Sequence, residues 1–159
     1  MRGDPEVLSL LNEQLTSELT SINQYFLHSK MQDSWGFTEL AAHTRAESFE
    51  EMQHAESLTD RILLLDGLPN YQRLFSVRIG QTVREQFDSD LAIEMEVVER
   101  LRPGIALCRE RRDTTSAALL ETIMADEERH IDYLQTQLHL MDLLGEQLYL
   151  TQCLARPPE

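Results

Sequence analysis

Two short stretches, "EEMQHA" at residues 50–55 and "DEERHI" at 126–131, each set a glutamate three positions before a histidine. Residues three apart on a helix are neighbours on one face, so Glu51/His54 and Glu127/His130 each present a carboxylate beside an imidazole. The two pairs lie 76 residues apart, and the same offset carries Glu18 onto Glu94. The chain therefore holds Glu…Glu-x-x-His twice, the second glutamate standing 33 positions after the first in each copy. One such pair on an acidic protein is an ordinary solvated face; the duplicated set demands an explanation.

The neighbours supply one. Leu11, Leu15, Ile22 and Tyr25 surround Glu18 at helical spacing, and Phe87, Leu91, Val97, Val98 and Leu101 surround Glu94. Glu127 interrupts a stripe of Leu120, Ile123, Met124, Ile131 and Leu134. Glu51 has Ala55 and Leu58 after it but Thr44, Glu47 and Ser48 before. Carboxylates are rarely buried alone, and four together raise one another's pKa. Two dications cancel their charge. One Glu from each of two helices plus Glu-x-x-His from two others is the ligand pattern of a carboxylate-bridged pair of iron or manganese ions. Asp126, Glu128 and Glu50 fall off these faces and read as solvated. His28, His43 and His139 lack matching partners and read as structural or surface residues. Met52, one position beyond Glu51 and about 100° round the helix, faces elsewhere.

Positioning six ligands takes four helices. Asp4-Pro5 is an N-cap followed by proline at the first helical position, opening a helix to about Asp33 that Ser34-Trp35-Gly36 breaks. A second helix runs from near Thr38 to Asp66-Gly67, with Pro69 as a stop. Residues 67–81 form one long connection. A third helix spans Thr82 to about Arg112, interrupted by Pro103-Gly104 as a candidate kink. A fourth runs from about Thr115 to Leu144, closed by Gly145, and a short fifth segment covers Glu146 to Ala155. A 27-residue helix is roughly 40 Å long, and 15 extended residues reach up to roughly 50 Å. The long connection can thus return along the whole bundle, making the second and third helices parallel in an all-α four-helix bundle.

Composition narrows the function classes. With 28 acidic against 14 basic residues the formal charge is -14, which argues against nucleic acid or an anionic membrane and suits a handler of cations. No apolar run approaches a membrane span, and "MRGDPEVL" lacks a signal-peptide core. Cys108 and Cys153 form no paired motif. One domain over 1–159 in a reducing cytoplasm is the expectation.

With Glu18, "LTSINQYFLH" at 19–28, "EEMQHA", Glu94 and "DEERHI" in view, the chain resembles the bacterioferritins. The likeness runs nearly full length, from "GDPEVLSLLNEQL" through "RILLLDGLPN" to the last short helix. It implies a ferritin-like bundle with a long crossover between helices two and three and a short fifth helix. It also implies a cytoplasmic homo-oligomer of 24 subunits built from two-fold dimers. Each subunit is then a ferroxidase whose di-iron centre oxidises Fe(II) with oxygen or peroxide, the ferric mineral being stored inside. By position, Glu18 and His54 are terminal ligands of one iron, Glu94 and His130 of the other, and Glu51 and Glu127 bridge. The resemblance further implies that Met52 binds haem b, one thioether from each of two subunits, on a path by which a ferredoxin-like reductant drives release. Leu19, Ile22, Asn23 and Phe26 form a second stripe on the first helix, either a broad core face or a surface for a neighbouring subunit.

Two departures stand out. Ala46 and Glu50 occupy positions where some relatives carry a cavity-side His and Asp, and Pro103 falls inside a helix. Asp132 and Asp66 are pore-lining candidates, with plain surface charge as the alternative. The competing functions are a haem-free ferritin and another di-iron carboxylate oxidase or peroxidase. A rubrerythrin-like peroxidase normally adds a Cys-x-x-Cys iron domain, absent here. A DNA-protecting mini-ferritin takes its ligands from two subunits and often a basic tail, whereas this chain supplies all six ligands itself.

Overall fold

Asp4 opens the first helix as expected, its carboxylate accepting the Glu6 N–H at 2.8 Å and the Val7 N–H at 3.3 Å. A computed structural model describes residues 1–159. Its helices are α1 (Pro5–Ser34), α2 (Thr38–Leu64), α3 (Val83–Glu110), α4 (Thr114–Leu144) and α5 (Glu146–Thr151). α1 packs along α2, α3 along α4, and α1 against α3. No helix is long and apolar enough to cross a membrane.

The long connection climbs α1 on a polar rail. Asn12 donates to the Leu68 carbonyl and accepts the Asn70 N–H at 2.8 Å. Thr20 Oγ1 accepts from Phe75 N, Gln24 Oε1 from Arg78 N, and His28 Nε2 from Gly80 N, at 2.9, 3.0 and 3.0 Å. Gln32 then donates to Gln86 on α3 at 2.9 Å. Asn12, Thr20, Gln24, His28 and Gln32 are separated by multiples of four, so they lie along one i,i+4 row that winds slowly round α1. Both numberings rise together, so the connection runs parallel to α1 and delivers α3 parallel to α2. His28 is thus a buried structural residue, while His139 lies on the surface.

Two helix ends and one helix interior depart from expectation. Asp66, not Gly67, takes the left-handed conformation after α2, at φ 59°. Its successor donates to the Ile62 carbonyl at 2.9 Å, satisfying an orphan acceptor of the helix end. Gly67 is needed for space: a Cβ there would stand 2.6 Å from Leu8 Cδ2. α3 runs unbroken through Pro103, and Gly104 lets the Leu10 side chain of α1 approach to where a Cβ would clash at 2.7 Å. α5 stops at Thr151, after which the Cys153 carbonyl accepts the Glu39 N–H at 3.1 Å. The C-terminal segment thereby caps α2, whose N-cap residue Phe37 offers no side-chain acceptor.

The core has two apolar blocks. One joins Leu11, Leu15, Leu58, Ile62, Leu101 and Leu120 with their neighbours towards the α1 N-terminus. The other joins Leu40, Phe87, Leu134, Met141 and Tyr149 at the opposite end. The six sequence-selected ligands lie between the two.

At the turn into α4, Asp113 accepts the Ser116 N–H at 3.0 Å and hydroxyl at 2.7 Å, and pairs with Arg61 Nη2 at 2.7 Å. Burial opposes its ionisation, but the Ser116 hydroxyl and N–H and the Arg61 guanidinium hold it below the usual carboxylate range. A depressed folded pKa gives stability that is full above the unfolded value near ~3.9 and is lost as pH falls through the folded one. Asp113→Ala should cost about 1–2 kcal/mol at pH 7, with the deficit shrinking below about pH 4. Denaturant unfolding at several pH values checks both the size and the window.

Candidate di-metal centre

Each of the four long helices contributes to one buried cluster. Glu18 comes from α1, Glu51 and His54 from α2, Glu94 from α3, and Glu127 and His130 from α4, all buried. Glu51 is fully buried, and so is the polar face before it, with Thr44, Glu47 and Ser48 all inside. That face looked ambiguous in sequence because its buried neighbours are themselves polar.

The distances divide the cluster into two overlapping tetrads. His54 Nδ1 stands 3.1 Å from Glu51 Oε2, 3.2 Å from Glu127 Oε1 and 3.5 Å from Glu18 Oε2. His130 Nδ1 stands 3.1 Å from Glu51 Oε1, 3.2 Å from Glu127 Oε2 and 3.5 Å from Glu94 Oε1. Glu51 and Glu127 thus turn one oxygen to each imidazole, whereas Glu18 and Glu94 each face one. Within each tetrad the candidate ligand atoms all lie within 4.8 Å of one another.

This chemistry fits dications. Glu51 Oε1, Glu94 Oε2 and Glu127 Oε1 are buried with no hydrogen-bond donor aligned on them, an arrangement costly unless a cation or proton serves those oxygens. Burial and then the neighbouring carboxylates Glu51 and Glu127 push Glu18 well above the usual carboxylate range. Burial and Glu127 do the same to Glu94. Burial opposes charge on His54 and His130, but their carboxylate partners outweigh it and raise both far above an ordinary imidazole. Burial likewise opposes the charge on Glu127, yet hydrogen bonds from Glu94, His130 and His54 lower it. Without metal, protons hold the cluster together; metal binding has to release them.

A second layer was missed in sequence. Glu50 and Asp126, expected to be solvated, instead reach across the bundle. Glu50 Oε2 accepts from His130 Nε2 at 3.1 Å and Asp126 Oδ2 from His54 Nε2 at 2.8 Å. They too are 76 residues apart, the signal that could have found them. Glu128 is exposed as expected. Gln14 donates to Glu18 Oε1 at 2.8 Å, and the Tyr25 hydroxyl donates to Glu94 Oε1. Tyr25 had read as part of the apolar stripe; its spacing from Glu18 and the need of a buried phenol for a partner were the available signals. His43 contacts Glu47 at 2.8 Å and stacks on Tyr133, outside both tetrads.

Met52 is on the outer face of α2 and half exposed, as are Phe26 and Phe49. The Arg45 guanidinium lies 5.7 and 5.3 Å from those two ring centroids. Leu19 and Ile22 are only partly buried and Asn23 is exposed, so the second α1 stripe opens outward beside this surface. Asp66 and Asp132 are both exposed.

Because an ionised Glu94 is penalised by the metal-free interior, Glu94→Gln should raise the thermal midpoint of the metal-free protein. The same change should diminish the further rise produced by Co(II), which stabilises by binding only the folded state. Thermal scans with and without Co(II) read both effects.

The ferritin-like domain family matches residues 8–144. A bacterioferritin of Mycobacterium tuberculosis (strain H37Rv) is 77% identical over 158 residues, covering 99% of each chain. One from Streptomyces coelicolor is 66% identical, covering 95% of this chain and 90% of its own. One from Rhodobacter capsulatus is 44% identical, covering 92% and 91%. A solved structure titled as the M. tuberculosis bacterioferritin superposes with a TM-score of 0.97 over 100% of both chains at 77% identity.

Proposed function

The chain belongs to the bacterioferritins, iron-storing ferroxidases of the ferritin-like family, and on that premise we propose that its two tetrads take up two ferrous ions as substrate. The observation that carries this is the sharing of Glu51 and Glu127 between both imidazoles. In this reading Glu18 and His54 hold one ion, Glu94 and His130 the other, and Glu51 and Glu127 span the two. All six belong to one domain covering 1–159.

Four carboxylates balance two dications, and hard oxygen ligands favour the ferric product. The two ions together supply the two electrons that reduce oxygen to peroxide, or peroxide to water. Tyr25 and Gln14 fix the terminal carboxylates, while Glu50 and Asp126 keep a proton on each Nε2 and so leave each Nδ1 to face iron. The two apolar blocks hold water away above and below.

The family forms oligomeric shells. For this chain the reading is a cytoplasmic homo-oligomer of 24 subunits that stores ferric mineral within. Its charge of -14 favours cation uptake. The outward, apolar surface of Met52, Phe26 and Phe49 suits a flat apolar group shared with a second copy, and Met52 would hold haem b there. Haem, when bound, supplies an electron path for reductive release by a ferredoxin-like partner. Arg45 and Asn23 border that surface with polar groups.

Glu18→Ala and Glu94→Ala should each abolish the rapid phase of Fe(II) oxidation followed by stopped-flow absorbance; unchanged rates in both would sink the ligand assignment. After haem reconstitution, wild-type protein should show a bis-methionine visible spectrum that Met52→Leu loses. A wild type without that spectrum leaves a haem-free ferritin.

A further inference from the structure

Arg129 is the one cation that touches the polar layer around the centre. Its Nη2 donates to Glu50 Oε1 at 2.8 Å and also to Asp126 Oδ1. These are the same two carboxylates whose other oxygens accept from His130 Nε2 and His54 Nε2. Glu50 is on α2 and Asp126 on α4, so one nitrogen joins the two helices that carry both imidazoles. The carboxylates it joins and their imidazoles obey the 76-residue repeat, which pairs Glu50 with Asp126 and His54 with His130. Arg129 does not: its counterpart is Gln53. An unrepeated side chain therefore joins the two halves of this two-fold set of outer carboxylates and imidazoles.

We propose that Arg129 is a positioning residue for both metal sites at once. By holding Glu50 and Asp126 in place, it fixes the orientation of both imidazoles and stops either outer carboxylate from swinging away into solvent or inward to the ions. The proposal rests on the di-metal reading of the centre. Two effects of the guanidinium compete: its geometry helps metal binding, while its positive charge repels the incoming ions. They differ in range. The guanidinium is exposed, so 1 M salt, with a screening length of about 3 Å, weakens its repulsion, though less towards a buried site than between two surface charges. Disturbance of an imidazole's outer hydrogen-bond partner, by contrast, persists and typically weakens binding by about 10–100-fold. Arg129 is 63% exposed, so its removal leaves the fold intact.

The test is Co(II) titration of metal-free wild type, Arg129→Gln, Arg129→Lys and Glu94→Ala at 1 M salt, read by the visible d–d bands. Arg129→Gln should bind Co(II) about tenfold more weakly with altered bands. Arg129→Lys, whose ammonium can sit between both carboxylates, should recover most of that loss. Arg129→Gln binding as tightly as wild type, with the same bands, overturns the positioning role. Glu94→Ala separates the two layers of inference: if it still fills both sites, the ligand reading fails whatever Arg129 does.

Discussion

Four glutamates and two histidines meeting at mid-length is the constraint around which the rest of the bundle is arranged. An isolated carboxylate in an apolar interior is prohibitively costly, and four of them are tolerable only when cations or protons compensate. Each helix accordingly gives up a core position to the cluster. Apolar packing is divided into a block anchored by Leu58 and Leu101 and a block anchored by Phe87 and Leu134. The two blocks are hydrophobic clamps that hold mutually repelling groups at ligand distance, so stability and chemistry are bound to the same packing.

The same constraint explains why α1 is so polar inside. One of its faces must present Glu18, with Gln14 and Tyr25 serving the glutamates of the cluster. A second face must satisfy the backbone of a connection that has no secondary structure of its own. Thr20, Gln24 and His28 do this from buried positions, and Asp90 on α3 completes the network through Gln24 at 2.8 Å and His28 at 2.9 Å. Unpaired main-chain groups buried beneath a loop would otherwise be costly.

Much of this was legible in the chain. Helix boundaries followed from Asp4-Pro5, Gly145 and the helical spacing, and the long crossover followed from length arithmetic alone. The 76-residue offset selected six residues that the fold gathers into one cluster. What escaped had physical causes. Glu50 and Asp126 sit about 100° from the ligand faces, and only the closeness of α2 and α4 lets them reach the opposite histidine. Asp66 took a left-handed conformation usually left to glycine, while Gly67 serves close packing against Leu8 and Ile62. The cap on α2 comes from Cys153, more than a hundred residues away, where no local pattern could announce it. Pro103 gave a clear warning of a break, yet the helix carries it without one.

The rail on α1 has a consequence for how this molecule can change. It grips residues 68–80 almost entirely through main-chain N–H and C=O groups. Most non-proline residues offer the same groups, so much of the connection tolerates substitution while remaining intolerant of altered length; Gly80 is excepted, because a Cβ there would collide with the Gln86 backbone N. Dropping one residue would shift every later amide out of step with its partner and pull α3, with Glu94 upon it, along its axis. Outside Gly80, variation in this segment is therefore less constrained in identity than in number: it behaves as a ruler that sets how far Glu94 is carried towards the other three helices.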